Sequence, residues 1–356
     1  MSALERVVVV DSDGVNPYGS ELAELLAPLA PRVELVTPAD NAFLPRSVGR
    51  AWLRPTRSKA TRRDAAREVA TILRLCLSVV RGSAVPVLVW ARTYQKLLLL
   101  AASSLRGTVP LVYVSHNPGA GRDHPGRIRR LVERLLLRRA HVVTHARSLE
   151  QAARGAGARS TFVVPHLPYR AYCERFRIGG RRADTRDEHP VGLLLLGALR
   201  PDKFTAADVR RLRDELATSG GRFRLIAAVR PRVELDGVDG RVPVVDMSRD
   251  DALDDEAIAA AFAEADVLVA PYRNPTDSGT VMLSLTAGVP VVAFDGGALR
   301  THLPDESLVR MEDWAALRER CERASELAVP DEWVDEAAAA ATDGWRSVLT
   351  SAGVAR

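Results

Sequence analysis

Residues 265–295 constrain the fold of this chain more than any other segment. The apolar run 266–270 has the length and composition of a parallel strand that is covered on both faces. The polar loop 272–279 leads into a helix that begins near Thr280 and ends at Gly288, and a second apolar strand follows. This order of elements predicts a doubly wound parallel sheet in an α/β protein.

The start of the predicted helix has the composition of an anion-binding site. Ser278, Gly279 and Thr280 are small, so the first N–H groups of the helix remain free to face an anion. Tyr272 and Asn274 lie in the loop just before them and are further candidate contacts. We therefore expect a phosphate-bearing ligand at this junction of strand, loop and helix.

A second loop supports the same expectation. The buried strand 191–196 is followed by Gly197, where a ligand can approach the backbone closely, and then by Arg200 and Lys203. Open α/β sheets bind ligands beyond the carboxyl ends of their strands, where these two cations are predicted to lie. The alternative is that both are solvated loop charges. Together with the first loop, however, they indicate a diphosphate site.

The rest of the chain repeats the alternation of strands and helices, which predicts a parallel sheet in each half. Further strands are predicted at residues 7–10, 33–36, 85–90, 110–114, 141–144, 161–164, 223–228, 242–245 and 307–310. Further helices are predicted at residues 20–29, 65–80, 94–105, 122–139, 148–155 and 333–348.

The distribution of charge divides the chain into two parts. Residues 1–190 contain 31 Lys and Arg against 16 Asp and Glu, whereas residues 191–356 contain 19 against 29. The stretch 179–190 is rich in Gly and Arg and has the composition of a linker. We therefore predict two domains and a C-terminal helix, at residues 1–183, 184–335 and 336–356.

Two segments carry most of the positive charge. Residues 46–67 contain eight Lys and Arg, and Arg122–Arg139 contains seven Arg. The second segment is predicted to form an amphipathic helix suited to an anionic membrane surface. The alternative is a helix whose apolar stripe packs into its own domain. Aromatic residues make up only 5% of the chain and no recognition motif appears, so nucleic acid is not expected as a partner.

Other sequence features limit the class of protein. Cys76, Cys173 and Cys321 are far apart and lack the spacing of metal ligands, so we expect reduced thiols in a cytoplasmic protein. No signal peptide is recognised, and the longest apolar run, residues 97–104, is too short to span a bilayer. No G-x-G-x-x-G opens a helix after a strand, which argues against a nicotinamide-dependent dehydrogenase.

The chain resembles the GT-B glycosyltransferases, and among them the large family 4. The resemblance covers essentially the whole chain and is carried by VSHNP at 114–118, VVPHLPY at 163–169, GALRPDK at 197–203 and the segment 265–305. It implies two Rossmann-like domains that face each other across a cleft, with the C-terminal helix crossing back to the first domain. It also implies an acceptor in the first domain, a nucleotide-sugar donor in the second, and no cofactor.

The resemblance assigns roles to single residues. Arg200 and Lys203 match positions where the family places cations on the donor diphosphate, and residues 278–280 match the helix start that approaches the phosphates and sugar. His116 matches a histidine that contacts the transferred sugar, and it is the candidate catalytic residue. The alternative role of His116 is to brace its own loop.

The loop after the first strand contains further candidates. Gly14 and Asn16 lie where the family's loop faces the donor phosphates and the acceptor. Asp11 and Asp13 are candidate general bases for an acceptor hydroxyl, or they hold the loop by local hydrogen bonds. His145 and His166 also follow predicted strands, and for them a structural hydrogen bond is favoured over chemistry.

One departure from the family pattern concerns two glutamates that many family 4 enzymes have in the donor loop and the following helix. With Gly288 as the landmark, Pro275 and Leu283 occupy these positions. The chain is similar to a subset of such enzymes that carries a Ser-Gly signature instead. The usual sugar contacts and the stereochemical outcome therefore do not carry over to this chain.

These features predict a metal-independent glycosyltransferase. It would move a hexosyl unit from GDP-mannose or a UDP-hexose to a saccharide or lipid-linked acceptor, in the cytoplasm or at the inner face of the membrane. A small soluble acceptor also remains open, and so do two alternative functions. One is a sugar-nucleotide epimerase of the same fold, and the other is a non-catalytic relative that binds nucleotide-sugar or membrane as a partner subunit.

Overall fold

The computed structural model describes residues 6–45, 47–56, 58–106, 110–118, 126–179, 190–235, 242–251, 253–274, 278–324 and 329–354. The chain forms two compact units. Unit 1 contains the residues up to Leu167 together with those from Ala337 onward, and unit 2 contains Pro168–Glu336. The predicted linker lies largely at 180–189, outside the described residues. The units divide after Leu167, because a helix at 170–176 packs against helices of unit 2.

Unit 1 is built on a parallel sheet of seven strands in the order β3-β2-β1-β4-β5-β6-β7. The strands are β1 (Arg6–Asp11), β2 (Val33–Pro38), β3 (Gly49–Leu53), β4 (Ala84–Trp90), β5 (Val112–Val114), β6 (His141–Thr144) and β7 (Ser160–Val163). In the centre, Val8 of β1 lies between Glu34 of β2 and Pro86 of β4. Because both faces of the central strands are covered, β1 and β4 are nearly continuous apolar runs.

The helices of unit 1 connect these strands. They are α1 (Tyr18–Leu26), α2 (Arg62–Arg81), α3 (Thr93–Arg106), α4 (Arg127–Arg139) and α5 (Arg147–Gly155). Helix α2 begins with a reciprocal capping box between Thr61 and Asp64 and ends at Gly82, whose φ is +72°. Since parallel crossovers are right-handed, α2, α3 and α4, which run in the same direction along the sheet, lie on one of its faces.

Unit 2 contains a parallel sheet of six strands in the order β10-β9-β8-β11-β12-β13. The strands are β8 (Val191–Ala198), β9 (Phe223–Arg230), β10 (Val244–Asp246), β11 (Val267–Ala270), β12 (Val291–Phe294) and β13 (Leu308–Val309). The helices are α6 (Arg170–Phe176), α7 (Ala206–Ala217), α8 (Asp255–Ala263), α9 (Gly279–Thr286) and α10 (Trp314–Ala324). The last helix, α11 (Trp333–Ser351), begins in unit 2 and belongs to unit 1 from Ala337 onward. The doubly wound order confirms the predicted fold class of two parallel-sheet units.

The C-terminal part of α11 groups with unit 1. Trp345 is fully buried there. Gly344 is packed so tightly that an added Cβ would lie 2.7 Å from Cγ1 of Val164. The absence of a side chain at Gly344 therefore lets the helix backbone approach the end of the sheet.

Some elements were missed from the sequence. Strand β3 lies inside the basic segment 46–67, where Arg50 and neighbouring charges concealed a short edge strand paired with β2. Helix α4 begins at Arg127, and residues 122–125 of the predicted basic helix lie outside the described residues. In the described part of the chain, no helix is both long and apolar enough to cross a membrane. Cys76, Cys173 and Cys321 form no disulfide.

Candidate functional site

The switch point of the unit 2 sheet lies between β8 and β11. From these neighbouring strands the chain continues in opposite directions, to β9 on one side and β12 on the other. The loops that follow β8 and β11 therefore border the crevice where doubly wound sheets bind ligands. These two loops contain the candidate donor-binding residues of the sequence analysis, at 200–203 and 272–280.

Backbone hydrogen bonds join the two loops directly. The N–H of Arg273 donates to the carbonyl of Lys203 at 2.9 Å, and the N–H of Asn274 donates to the carbonyl of Asp202 at 3.0 Å. Within the first loop, the N–H of Arg200 donates to the carbonyl of Phe204 at 2.9 Å. The loop after β8 is thus a closed turn held in a fixed position against the loop after β11.

Lys203 is oriented by aromatic rings. Its Nζ lies 4.9 Å from the centre of the Tyr272 ring, a cation–π contact. Tyr272 is buried and stacks on Phe204, with ring centres 6.0 Å apart and planes 9° apart. No carboxylate among the described residues lies within ion-pair distance of Lys203. Lys203 is therefore a positioned cation whose charge is available to a ligand.

The two arginines of these loops are held differently. Arg200 makes two hydrogen bonds to the carboxylate of Asp202, from Nε at 3.0 Å and from Nη2 at 2.7 Å. Arg273 donates to Asp208 at 2.7 Å, and Asp208 also completes the N-terminal cap of α7. Both guanidinium charges are thus balanced by an acid, so Lys203 is the strongest candidate for the donor diphosphate.

The first turn of α9 follows β11 at the same edge of the sheet. Ser278 is buried at the N-cap, and its hydroxyl accepts the N–H of Val281 at 3.4 Å. The N–H groups of Gly279 and Thr280 have no hydrogen-bond partner among the described residues. A Cβ added at Gly197, whose φ is +125°, would lie 3.9 Å from Oγ1 of Thr280. The first turn of α9 and the end of β8 are thus close neighbours with little side-chain bulk between them.

The loop that precedes α9 is only partly described. Residues 275–277 lie outside the described part of the chain, and Pro275 is among them. Leu283, at the second position where the family 4 pattern has a glutamate, is buried in α9. The candidate donor site is therefore defined by the residues on either side of this gap.

Unit 1 has a polar and aromatic cluster at the carboxyl edge of its own sheet. The ring of Tyr18, at the start of α1, lies 5.1, 5.2 and 5.0 Å from the rings of His116, His145 and His166. These histidines follow β5, β6 and β7 in turn. Neighbouring parallel strands end at the same edge, so three distant segments converge on one tyrosine.

The three histidines differ in their surroundings. His116 is partly exposed, and its ring is stacked on Trp90 with centres 4.2 Å apart and planes 7° apart. His145 and His166 are buried, and their Nδ1 atoms lie 2.9 and 2.8 Å from the carbonyls of Val164 and Leu167. A carbonyl only accepts, so both Nδ1 atoms carry a proton. His116 is the histidine of this cluster that a ligand can reach.

Asp11 lies at the end of β1 and is completely buried. Its Oδ1 accepts the N–H groups of Asp13 and Gly14, at 2.9 and 3.4 Å. Its Oδ2 is buried and has no hydrogen-bond partner among the described residues. Burial, with a smaller contribution from the nearby charge of Asp13, raises the pKa of Asp11 from 3.8 to about 7. Asp11 therefore holds loop backbone and also has a pKa suited to proton transfer near neutral pH.

Gly14 and Asn16 shape the same loop. Gly14 has a φ of +63°, and a Cβ there would lie 2.9 Å from the Pro38 ring. The side chain of Asn16 accepts the N–H of Tyr18 at 2.9 Å and so supports the start of α1. Both of these contacts lie within unit 1.

Sequence reasoning missed Tyr18 and Trp90. Their position was the available signal, since Trp90 ends an apolar strand and Tyr18 follows an Asn-Pro turn after β1. Their contacts with the histidines depend on which strands are neighbours in the sheet, and the order of strands could not be predicted from the sequence. Among the described residues, no group of three or more His, Cys, Asp or Glu is arranged to hold a metal ion.

Comparison with known proteins places the fold. No protein-family model and no curated protein sequence matches this chain. Three solved structures similar to it are Anabaena Alr3699/HepE in complex with UDP, sucrose-phosphate synthase from Thermosynechococcus elongatus, and an E. coli protein described as trehalose-6-phosphate bound with UDP-2-fluoro glucose.

Each similarity extends over nearly the whole of both chains. The first structure has a TM-score of 0.58 and 16% identity, with 97% of this chain and 95% of that chain covered. The second has a TM-score of 0.57 and 15% identity, with 98% of this chain and 96% of that chain covered. The third has a TM-score of 0.61 and 11% identity, with 98% of each chain covered. These neighbours are GT-B glycosyltransferases, and the chain shares their fold.

Proposed function

We propose that this protein is a glycosyltransferase that moves a hexosyl unit from a nucleotide-sugar donor to a saccharide or lipid-linked acceptor. The observation that supports this most directly is the pair of hydrogen-bonded loops in unit 2, which holds Lys203 beside Tyr272 at the switch point of the sheet. With the first turn of α9, this edge offers one fixed cation and backbone N–H groups to a diphosphate.

The proposed chemistry follows from the charge of the leaving group. When the bond between sugar and phosphate breaks, negative charge grows on the departing nucleoside diphosphate. Lys203 and the helix start would stabilise this charge without a metal ion, because they are already in place before the reaction. Arg200 would contribute less, since Asp202 already balances its charge.

Unit 1 would supply the groups that act on the sugar and the acceptor. His116 is partly exposed and stacked on Trp90 at the carboxyl edge of the sheet, and we assign it the contact with the transferred sugar. Asp11, with a pKa of about 7, is the candidate base for an acceptor hydroxyl. These roles deepen the sequence-based assignments of His116 and Asp11.

For the donor we favour a UDP-hexose over GDP-mannose. Two of the structurally similar proteins are described in complex with UDP or a UDP-sugar. For the acceptor, the basic helix predicted at Arg122–Arg139 favours one presented at the cytoplasmic face of an anionic membrane. Six arginines of this segment lie in α4 (Arg127–Arg139).

The direct test is thermal unfolding of the full chain with UDP, GDP, dTDP or ADP and without added metal. A ligand at about a hundred times its dissociation constant stabilises the folded state by roughly 2.7 kcal/mol, so the expected result is a clear increase in Tm with UDP. Release of UDP from UDP-glucose then measures turnover. Stabilisation by none of these nucleotides contradicts the proposal. Binding of UDP without any turnover would favour the non-catalytic relative.

A further inference from the structure

Unit 1 has an unusual concentration of exposed apolar side chains. In the described part of the chain, ten of the eleven exposed large hydrophobic residues lie on α2, α3 and α4, and the remaining one is Val163. They are 38% to 80% exposed. The ten are Val69, Leu73, Leu77 and Val80 on α2, Tyr94, Leu97, Leu98 and Leu105 on α3, and Ile128 and Leu131 on α4.

These side chains form stripes and are not scattered over the surface. On α2 the exposed residues follow helical spacing, and at 100° per residue they lie roughly 135° around the helix from the buried stripe of Ile72, Leu75 and Val79. Helix α3 has a similar outer stripe, from Tyr94 to Leu105. Each helix thus has one apolar stripe for the core and another that faces outward. The exposed sides of α2, α3 and α4 are called the outer helical face below.

The charge of the outer helical face is strongly positive. The three helices contain thirteen Lys and Arg but only three acids, Asp64, Glu68 and Glu133. All three acids are engaged within unit 1: Asp64 caps α2, Glu68 is buried against Arg54 and Arg92, and Glu133 bonds Lys96 and Tyr113. Little negative charge is therefore left to offset the arginines.

A cavity of about 310 Å³ lies between α3 and α4. It is lined by the cations Arg92, Lys96 and Arg129, together with Ala91, Thr93, Val132 and Glu133. Arg129 is exposed, and no carboxylate among the described residues lies within ion-pair distance of it. Thr93 is the first residue of α3, so the positive end of that helix dipole also borders the cavity. Arg92 is paired with Glu68, and Lys96 is paired with Glu133, so the cation that the cavity offers to a phosphate group is Arg129.

We propose that unit 1 binds a phosphate-bearing lipid at an anionic bilayer surface. The outer helical face lies on the bilayer, and Arg129, at the cavity between α3 and α4, binds the lipid phosphate. This inference rests on the proposed function and deepens it by naming a lipid phosphate as the acceptor class. A second copy of the chain fits this surface less well, because two such faces would bring their arginines together.

The first experiment measures flotation of the full chain with vesicles of phosphatidylcholine, with or without phosphatidylglycerol. The wild-type chain is expected to bind the vesicles that contain phosphatidylglycerol. Because each leucine loses buried apolar area, Leu73→Ser with Leu77→Ser should weaken binding on the order of a hundredfold. Val163→Ser, an exposed apolar residue elsewhere in unit 1, is the matched control and should bind as the wild type does. Equal binding by all three overturns the bilayer contact.

The second experiment separates the cavity from general attraction between charges. Arg129 and Arg138 are both exposed on α4, but only Arg129 lines the cavity. Arg138→Ser should weaken binding to phosphatidylglycerol vesicles roughly fivefold, as expected for one surface charge. Arg129→Ser should weaken it more, by about a further tenfold, because a charged hydrogen bond to phosphate is also lost. Equal losses would contradict the phosphate site.

The third experiment distinguishes the source of the phosphate and keeps the inference separate from the proposed function. Inorganic phosphate should compete with the vesicles only weakly, since it gains nothing from the apolar stripes. If phosphate stabilises the wild type but not Arg129→Ser, and vesicles do not bind, the acceptor phosphate is soluble and the lipid assignment is wrong. Stabilisation by UDP is measured in the same samples. UDP binding without vesicle binding contradicts only the lipid inference. Vesicle binding without UDP binding contradicts only the proposed donor.

Discussion

The two sheets have the same kind of switch point, but their carboxyl edges are made of different residues. In unit 1 the edge is filled by titratable and aromatic groups, namely Asp11, Trp90 and the three histidines around Tyr18, of which Asp11, His145 and His166 are buried. In unit 2 it consists of Gly197, a single available lysine and the small residues that begin α9. We propose proton transfer at the first edge and anion binding at the second.

This difference shows that the topology selects the place of a site but not its chemistry. Both edges gather loops from strands that are neighbours in space and distant in sequence. Large rings and a buried carboxylate fill the first edge and raise the cost of charge there. Small residues leave backbone N–H groups accessible at the second. The predictions below test this division.

The largest expected effect concerns Asp11 and the stability of unit 1. Its pKa is raised to about 7 in the folded state, against 3.8 in the unfolded chain. Between these values the folded state holds the proton that the unfolded state has lost, so stability falls as pH rises from about 4 to 7. The pKa difference corresponds to a loss of roughly 4 kcal/mol in the free energy of unfolding. Asp11→Asn should abolish this loss.

Urea denaturation of the wild type and Asp11→Asn between pH 4 and 8 measures this effect. The variant should gain stability over the wild type as pH rises, and the gain should level off above pH 7. Asp13→Asn is the control, because it removes the neighbouring charge and should narrow the pH window without closing it. A stability difference that does not change with pH would show that Asp11 is ionised in the folded protein.

The second prediction tests the proposed role of His116, which is contact with the transferred sugar. His116→Ala should lower turnover about a hundredfold, the usual loss for a proton-transfer or sugar-contacting group, and leave the Kd for UDP nearly unchanged. His141→Ala is the matched control, because His141 begins β6 at the opposite edge of the sheet and bonds Ser160. Parallel losses of turnover and UDP affinity in His116→Ala would instead indicate a structural role.

The sequence alone predicted the two parallel sheets because buried parallel strands are continuous apolar runs, such as β8 and β11. Strand β3 was not predicted, because an edge strand tolerates charges such as Arg50 and so lacks a continuous apolar run. The cluster around Tyr18 was also beyond sequence reasoning, since it depends on the order of β4, β5, β6 and β7 in the sheet. Local patterns therefore predicted elements, and distant contacts decided how the edges are filled.

The loop after β8 shows the same limit at the level of single residues. Arg200 and Lys203 look equivalent in GALRPDK, and the family resemblance assigns both the same role. The turn after β8 brings Asp202 onto the guanidinium of Arg200, whereas Lys203 lies over Tyr272, a residue almost seventy positions away. Their difference thus depends on one local and one distant contact. The last two predictions measure it.

The third prediction concerns Lys203. Lys203→Met keeps an apolar stem against Tyr272 but removes the positive charge. Loss of one charged hydrogen bond to a phosphate costs about 2 kcal/mol, so the Kd for UDP should rise roughly thirtyfold. Isothermal titration calorimetry with UDP measures the change, and uridine without phosphates is the control ligand. A similar loss of affinity for uridine would mean that the mutation disturbs the loop and not the phosphate contact.

The smallest effect is expected for Arg200. Asp202 already balances the charge of Arg200 through two hydrogen bonds, and the ion pair is partly exposed. Arg200 should therefore contribute little electrostatic attraction to the diphosphate. Arg200→Gln should therefore weaken UDP binding by less than about fivefold, well below the effect of Lys203→Met. Asp202→Asn provides the converse test, because releasing Arg200 from its acid should tighten UDP binding. If Arg200→Gln weakens UDP binding as much as Lys203→Met, the two cations act together, and the ion pair with Asp202 must open when the donor binds.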